Sequence, residues 1–310
     1  MKAILFVLRD IMSARIALPI IKLALQYLPV ATIAEGKAVG ICKEAGITLF
    51  LEGSHEQNPM SNAHQILFNL DPDVVCIGCS SPINWELTIA KEAHKQNIPV
   101  VALCDIWGCL GRLKGFVPEL ALVIDVDEAM KEVNAGRAES VAIIGDIAST
   151  TKIVLTREKD RALRKVCAGK TSVLIVGDHL DNVEEVASAV AQSIRLEPDP
   201  SKFVIFGSFV HPKLAGYPNV VPILHKIEQM FDGLNFVKHQ ELGVNTDELA
   251  AFCDYTATAF STPGRIAIHH GKRFLSVDGP KSRELQIRET GFDVNPLVSD
   301  RKSTRLNSSH

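Results

Sequence analysis

The chain has 310 residues, 46% hydrophobic and 22% charged, with a net charge of -3. That length is too great for one small core and suits two α/β domains, and the composition is ordinary for a globular protein. With no long basic run, nothing in the charge pattern marks a nucleic-acid footprint, so no nucleic-acid partner is expected.

The first apolar run, residues 1–8, is interrupted by Arg9, Asp10 and Arg15, and the next, 16–28, by Pro19, Lys22 and Gln26. They read as a first strand and helix, not as a signal peptide or an integral membrane segment. Predicted strands follow at 30–34, 48–51, 74–78, 100–104, 120–124 and 141–144. Helices are expected at 11–27, 37–45, 61–70 and 84–96. Continuous apolar strands separated by helices indicate a parallel sheet covered on both faces. Residues 150–170 are polar and charge-rich and read as a joining segment. A second series then begins: strands at 172–176, 203–206, 235–237 and 274–277, with helices at 183–194, 221–231 and 247–252. The expected fold is therefore α/β, two Rossmann-like doubly wound domains facing a cleft. The expected boundaries are 1–149 and 150–300.

A single dinucleotide-binding domain fits poorly. The first strand–helix turn, residues 8–15, contains no glycine, so the backbone cannot approach a pyrophosphate as a G-x-G-x-x-G turn does. The seven cysteines lie in or near apolar segments, which indicates a reducing cytoplasm. Cys76, Cys79, Cys104 and Cys109 form a loose four-thiol set. Cys76 falls inside a predicted buried strand, so buried thiols are expected and no metal or other cofactor. His269 and His270 are adjacent on a helix and point about 100° apart, which does not suit a shared ion.

In an open parallel sheet, ligands bind beyond the carboxyl ends of the strands. In the first half those ends carry Arg9 and Asp10, Glu35, Glu52 with Ser54 and His55, Ser80 and Ser81, and Asp105 with Trp107 and Arg112. Asp10 suits a helix cap, or an ion pair with Arg9 or Arg15. Asp105 suits a hydrogen-bonding or proton-accepting role, or a cap. Trp107 suits packing between domains. In the second half the strand ends carry Gly177 with Asp178 and His179, His211, and the turn Ser261-Thr262-Pro263-Gly264-Arg265. That turn stands between a strand and a helix, where backbone N–H groups favour an anion.

The stretch 247–271, with the earlier His211-Pro212, resembles the C-terminal half of GT-B-fold glycosyltransferases and of the related UDP-N-acetylglucosamine 2-epimerases. Ala267, Gly271 and Lys272 fit that pattern, whereas Ile266 stands where Glu is usual and Arg273 where Pro is usual. In the first half, the Ser80-Ser81 turn, Ile98-Pro99, Asp105-Ile106-Trp107 and Arg112 are similar to a pattern in bacterial GT-B-like polysaccharide proteins.

The resemblance implies a cytoplasmic GT-B-type glycosyltransferase using a nucleotide sugar, in polysaccharide or glycoconjugate synthesis. Its acceptor would be a glycan or lipid-linked molecule, and the family needs no bound metal. Asp10 and Asp105 are the expected catalytic residues. Ser80, Ser81, Trp107 and Arg112 are expected to bind substrate. His211, Ser261, Thr262, Gly264 and Arg265 are expected to hold the donor. A 2-epimerase-like enzyme and a non-catalytic nucleotide- or glycan-binding protein are the alternatives, the latter favoured by Ile266, which cannot accept bonds from ribose hydroxyls. Residues 301–310 break with the preceding composition and read as a translated sequencing adapter. The second domain is accordingly expected to be truncated.

Overall fold

The computed structural model describes residues 3–53, 62–80, 85–147, 149–150, 153–177, 182–209, 220–238, 242–259 and 261–290. Ser54, His55, Ser81, Asp178, His179, His211 and the tail 301–310 lie outside the described residues. Contacts gather into two compact units, Met1–Ala148 and Ser149–His310.

In the first unit β1 (Ile4–Leu8) leads into α1 (Ile11–Ala24). Asp10 starts that helix: its carboxylate accepts from the Ser13 N–H at 2.8 Å, while the Ser13 hydroxyl accepts from the Asp10 N–H at 3.2 Å. This reciprocal cap satisfies amides that a helix start otherwise leaves open. There follow β2 (Val30–Glu35), α2 (Lys37–Glu44), β3 (Leu51–Gly53) and α3 (Ala63–Leu70). Next come β4 (Val74–Gly78), α4 (Trp85–Lys95), β5 (Val100–Leu103) and a 3-10 turn at Cys109–Leu113. The unit continues with β6 (Leu120–Val123), α5 (Val126–Asn134) and β7 (Ser140–Ile143). The strands form one seven-stranded parallel sheet in the order β3-β2-β1-β4-β5-β6-β7. Its two faces are covered by separate apolar clusters, one around Ile77, Trp85 and Ile89, the other around Phe6, Ile16 and Ile21. Each such fully buried side chain contributes about 1.5–3 kcal/mol relative to exposure.

The second unit opens with α6 (Arg157–Cys167), which corrects the reading of 150–170 as a joining segment. The charges there occupy the outer face, while Leu163 and Cys167, four residues apart, are buried, and Thr156 caps the start by accepting from the Lys159 N–H. Then come β8 (Thr171–Val176), α7 (Val183–Leu196), β9 (Phe203–Ser208), α8 (Val220–Met230) and β10 (Phe236–Lys238). The unit ends with α9 (Thr246–Phe252), β11 (Tyr255–Thr258), α10 (Thr262–His269), β12 (Arg273–Ser276) and α11 (Pro280–Thr290). These strands form a second parallel sheet in the order β10-β9-β8-β11-β12. Helix α11 was not among the expected elements. Its first amides are held by a distant carboxylate: Glu185 of α7 accepts from the Ser282 N–H at 2.7 Å and the Lys281 N–H at 3.2 Å.

Two separate parallel sheets flanked by helices agree with the α/β, two-domain expectation. Among the described residues, no helix is long and apolar enough to cross a membrane.

Candidate functional site

Each sheet has one place where the strand order reverses, between β1 and β4 in the first and between β8 and β11 in the second. Crossovers leave such points in opposite directions, so the loops part and open a crevice at the carboxyl ends.

At the first point, β1 leads into Arg9 and Asp10, and β4 into Cys79 and Ser80. Gly78 allows the two to close up. A Cβ there would lie 2.4 Å from Ser13 Cβ and 2.5 Å from Glu86 Oε1. Ser80 is tied to α4, donating its hydroxyl to Glu86 Oε1 at 2.7 Å and its N–H to Oε2 at 3.3 Å. Glu86 is fully buried. Burial pushes its carboxyl up to about 8, opposed by the Ser80 bonds and reinforced by Asp10 and Asp105. Asp10, Glu86 and Asp105 thus share one electrostatic neighbourhood. Two such carboxyls in different states can divide the roles of acid and base.

Beside them, the Arg112 guanidinium donates to the Cys79 carbonyl at 2.9 Å and lies 4.0 Å from Asp105. It ties the 3-10 turn to the end of β4. The Arg9 guanidinium lies 3.5 Å from the buried Glu35 carboxylate at the end of β2. Trp107 is 4% exposed, and its indole N–H donates to Asp125 at 2.7 Å. In this arrangement its ring offers little face to a ligand. Asp105 is buried, and Asp10, half-buried, remains the more accessible carboxylate.

Cys79, Cys104 and Cys109 also meet at this edge. Their sulfur atoms lie within 4.8 Å of one another, all buried. Cys79 accepts S–H bonds from the other two, which draws its thiol down to about 6. Cys104 is raised by its bonds to Cys109 and Cys79, and Cys109 chiefly by burial. Cys76 stands apart, in the cluster on the opposite sheet face, its thiol pushed up to about 12 by burial.

At the second reversal, β11 runs into Ser261 at the start of α10. The Ser261 hydroxyl shares a hydrogen bond of 2.8 Å with Thr258. Pro263 has no N–H, and the Gly264 N–H donates to the Ser261 carbonyl. Gly264 is therefore explained by packing: a Cβ there would meet Phe274 at 2.9 Å and Thr258 at 3.0 Å. The amides of Ser261 and Thr262 take no hydrogen bond among the described residues. Arg265 is 2% exposed and donates to the Ser149 hydroxyl at 3.1 Å, which gives it a structural bond within its own unit. Ile266 is 1% exposed and packs with Leu174, Val176, Leu249 and Cys253. Position 266 faces the sheet, which accounts for an apolar residue there.

The structure thus brings Asp10, Ser80, Asp105 and Arg112 to one edge of the first sheet, and Ser261, Thr262, Gly264 and Arg265 to one helix start in the second. Sequence reasoning missed Glu86. Its signal was a carboxylate in the first turn of a helix that follows a Ser-Ser turn at a strand end. It also missed Ser208, whose hydroxyl shares a 2.7 Å bond with Thr246 at the end of β9. A groove of about 460 Å³ lined by Arg164, Lys170, Asp254 and Lys272 lies at the amino ends of the second sheet, away from these residues.

No family model matches the chain, and no curated protein matches it in sequence. Solved structures share its fold. MnaA of S. aureus, in a co-structure with UDP, superposes with a TM-score of 0.67 at 13% identity, covering 93% of this chain and 82% of that one. UDP-GlcNAc 2-epimerase from Methanocaldococcus jannaschii gives 0.64 at 12% identity, covering 99% and 89%. The glycotransferase of kitacinnamycin gives 0.53 at 13% identity, covering 99% and 86%. The fold is that shared by UDP-GlcNAc 2-epimerases and GT-B glycosyltransferases.

Proposed function

We propose that the chain is a GT-B-type enzyme acting on a nucleotide sugar, with glycosyl transfer in polysaccharide or glycoconjugate synthesis as its reaction. The observation that supports this best is the grouping of Asp10, Glu86 and Asp105 at the strand-order reversal of the first sheet. Asp10, accessible and beside a carboxyl kept neutral near pH 7, is the base that takes the acceptor hydroxyl proton. The Ser261 and Thr262 amides at the start of α10 bind the donor diphosphate. His211, outside the described residues, is assigned to the same donor site. Ser80 and Ser81 hold the acceptor side, a glycan or lipid-linked molecule, in the cytoplasm.

The same carboxyl grouping favours a second reading, epimerisation of the sugar, because removing and returning a proton needs a base and an acid side by side. Incubation with UDP-, GDP-, CMP- and TDP-sugars, followed by proton NMR, separates the two. Transfer releases nucleotide and depends on an added acceptor. Epimerisation yields an inverted sugar without an acceptor. Neither product with any donor, despite binding, counts against both reactions and leaves a non-catalytic binding protein.

A further inference from the structure

The three-cysteine cluster has no part in that reading, and the backbone builds it. Gly78 of β4 is in register with Leu103 of β5, so the next residues, Cys79 and Cys104, stand side by side just beyond the ends of these neighbouring strands. Both point to the face that carries Trp85 and Ile89. After Asp105 the chain turns through Gly108, whose φ of 74° is the left-handed conformation that glycine tolerates. The 3-10 turn Cys109–Leu113 then returns Cys109 to the other two, anchored by buried Leu110 and Leu113 and by the Arg112 bond to the Cys79 carbonyl. No bond among the sulfurs is needed to hold them there.

We propose that Cys79, Cys104 and Cys109 form a three-thiolate site for a thiophilic divalent d10 cation, Zn²⁺. With Zn–S bonds of about 2.3 Å, tetrahedral coordination places sulfurs about 3.8 Å apart. The observed spread of at most 4.8 Å requires a contraction of about 1 Å or less, within reach of small side-chain rotations. Binding displaces to solvent the protons that the thiols still carry. Three thiolates and one Zn²⁺ leave a single negative charge, and the Arg112 guanidinium lies within electrostatic reach of Cys109 to offset it. The fourth position falls to a water or a carboxylate, Glu86 and Asp105 being those in electrostatic reach of Cys79. Cys76 takes no part, since it belongs to the opposite face.

The test uses the full chain, purified under reducing conditions and stripped with a chelator. Titration with Co²⁺ in the absence of oxygen should give tetrahedral absorption bands and a thiolate-to-cobalt charge-transfer band of the strength of three thiolates, saturating at one ion per chain. Zn²⁺ should displace it. Cys79→Ser, Cys104→Ser and Cys109→Ser should each weaken Zn²⁺ binding by at least about 10-fold, and Cys76→Ala should not. Should a variant fail to fold, the cobalt spectrum of the unsubstituted chain still decides. No charge-transfer band while all three thiols remain reduced would overturn the site. So would a band that survives Cys104→Ser, or a disulfide between two of the three in the freshly purified protein.

Discussion

The Ser80 hydroxyl donates to Glu86 at 2.7 Å, and with the Ser80 N–H it ties the end of β4 to the first turn of α4 through a fully buried carboxyl. That one pair fixes the edge of the sheet where Asp10 and Asp105 also gather.

Its first consequence is a pH dependence of stability. Glu86 moves from an ordinary 4.5 to about 8 on folding, mainly through burial. Between those values the folded state holds a proton that the unfolded state has lost, so stability should fall as pH rises through the window and level off above it. Glu86→Gln, which stays neutral, should flatten this part of the slope. Glu128, buried and raised to about 9, leaves a residual slope of the same sign. Urea unfolding of both proteins from about pH 5 to about pH 9 measures it. Identical slopes would mean that Glu86 is ionised in the folded protein.

Gly78→Ala should destabilise by about 1–3 kcal/mol or more, because its Cβ meets Ser13 and Glu86 within 2.5 Å and a packed interior yields little. Gly40→Ala, in α2 with nothing within 4 Å, should be neutral or stabilising by up to about 1 kcal/mol. Urea midpoints compare the two. A neutral Gly78→Ala would show that α1 and β4 do not approach as described.

Asp10 carries two roles that substitution can separate. Asp10→Asn retains a cap acceptor and should unfold within about 1 kcal/mol of the parent, yet lose turnover by at least about 100-fold if the carboxylate is the base. Asp10→Ala should add a stability cost of about 0.5–2 kcal/mol. Parent-like turnover by Asp10→Asn reduces the residue to a cap.

Ile266→Glu should destabilise the second unit by several kcal/mol, because the carboxylate would enter an apolar cluster without a partner. A stable Ile266→Glu protein with tighter nucleotide binding would place that side chain on the ligand face instead.

Most strand positions were legible because parallel strands buried on both faces are largely apolar runs, as in Ile4–Leu8, whereas the strand expected at 48–51 lies at Leu51–Gly53, a short edge strand with Glu52 exposed. Helix α6 was not. Its outer face is so rich in charge that the buried pair Leu163 and Cys167 was overlooked. Helix α11 was also missed, since its start is stabilised by Glu185, about a hundred residues earlier. At the site, listing polar residues at strand ends found Asp10, Ser80 and Asp105. It could not show that Arg265 would bond Ser149, or that Ile266 would face the sheet, because both depend on how α10 rotates against its neighbours. The thiols escaped for a related reason. Spacing grouped Cys76 with Cys79, while strand alternation puts them on opposite faces.

Calorimetric titration of the full chain with UDP-, GDP-, CMP- and TDP-sugars tests the central claim most directly. One of the four classes should bind saturably. Ser261→Ala should weaken that binding, and so should Thr262→Pro, which removes an amide at a helix position that accepts proline. Glu86→Gln should leave it unchanged. No binding of any of the four, or binding indifferent to both changes in the α10 turn, would contradict the account.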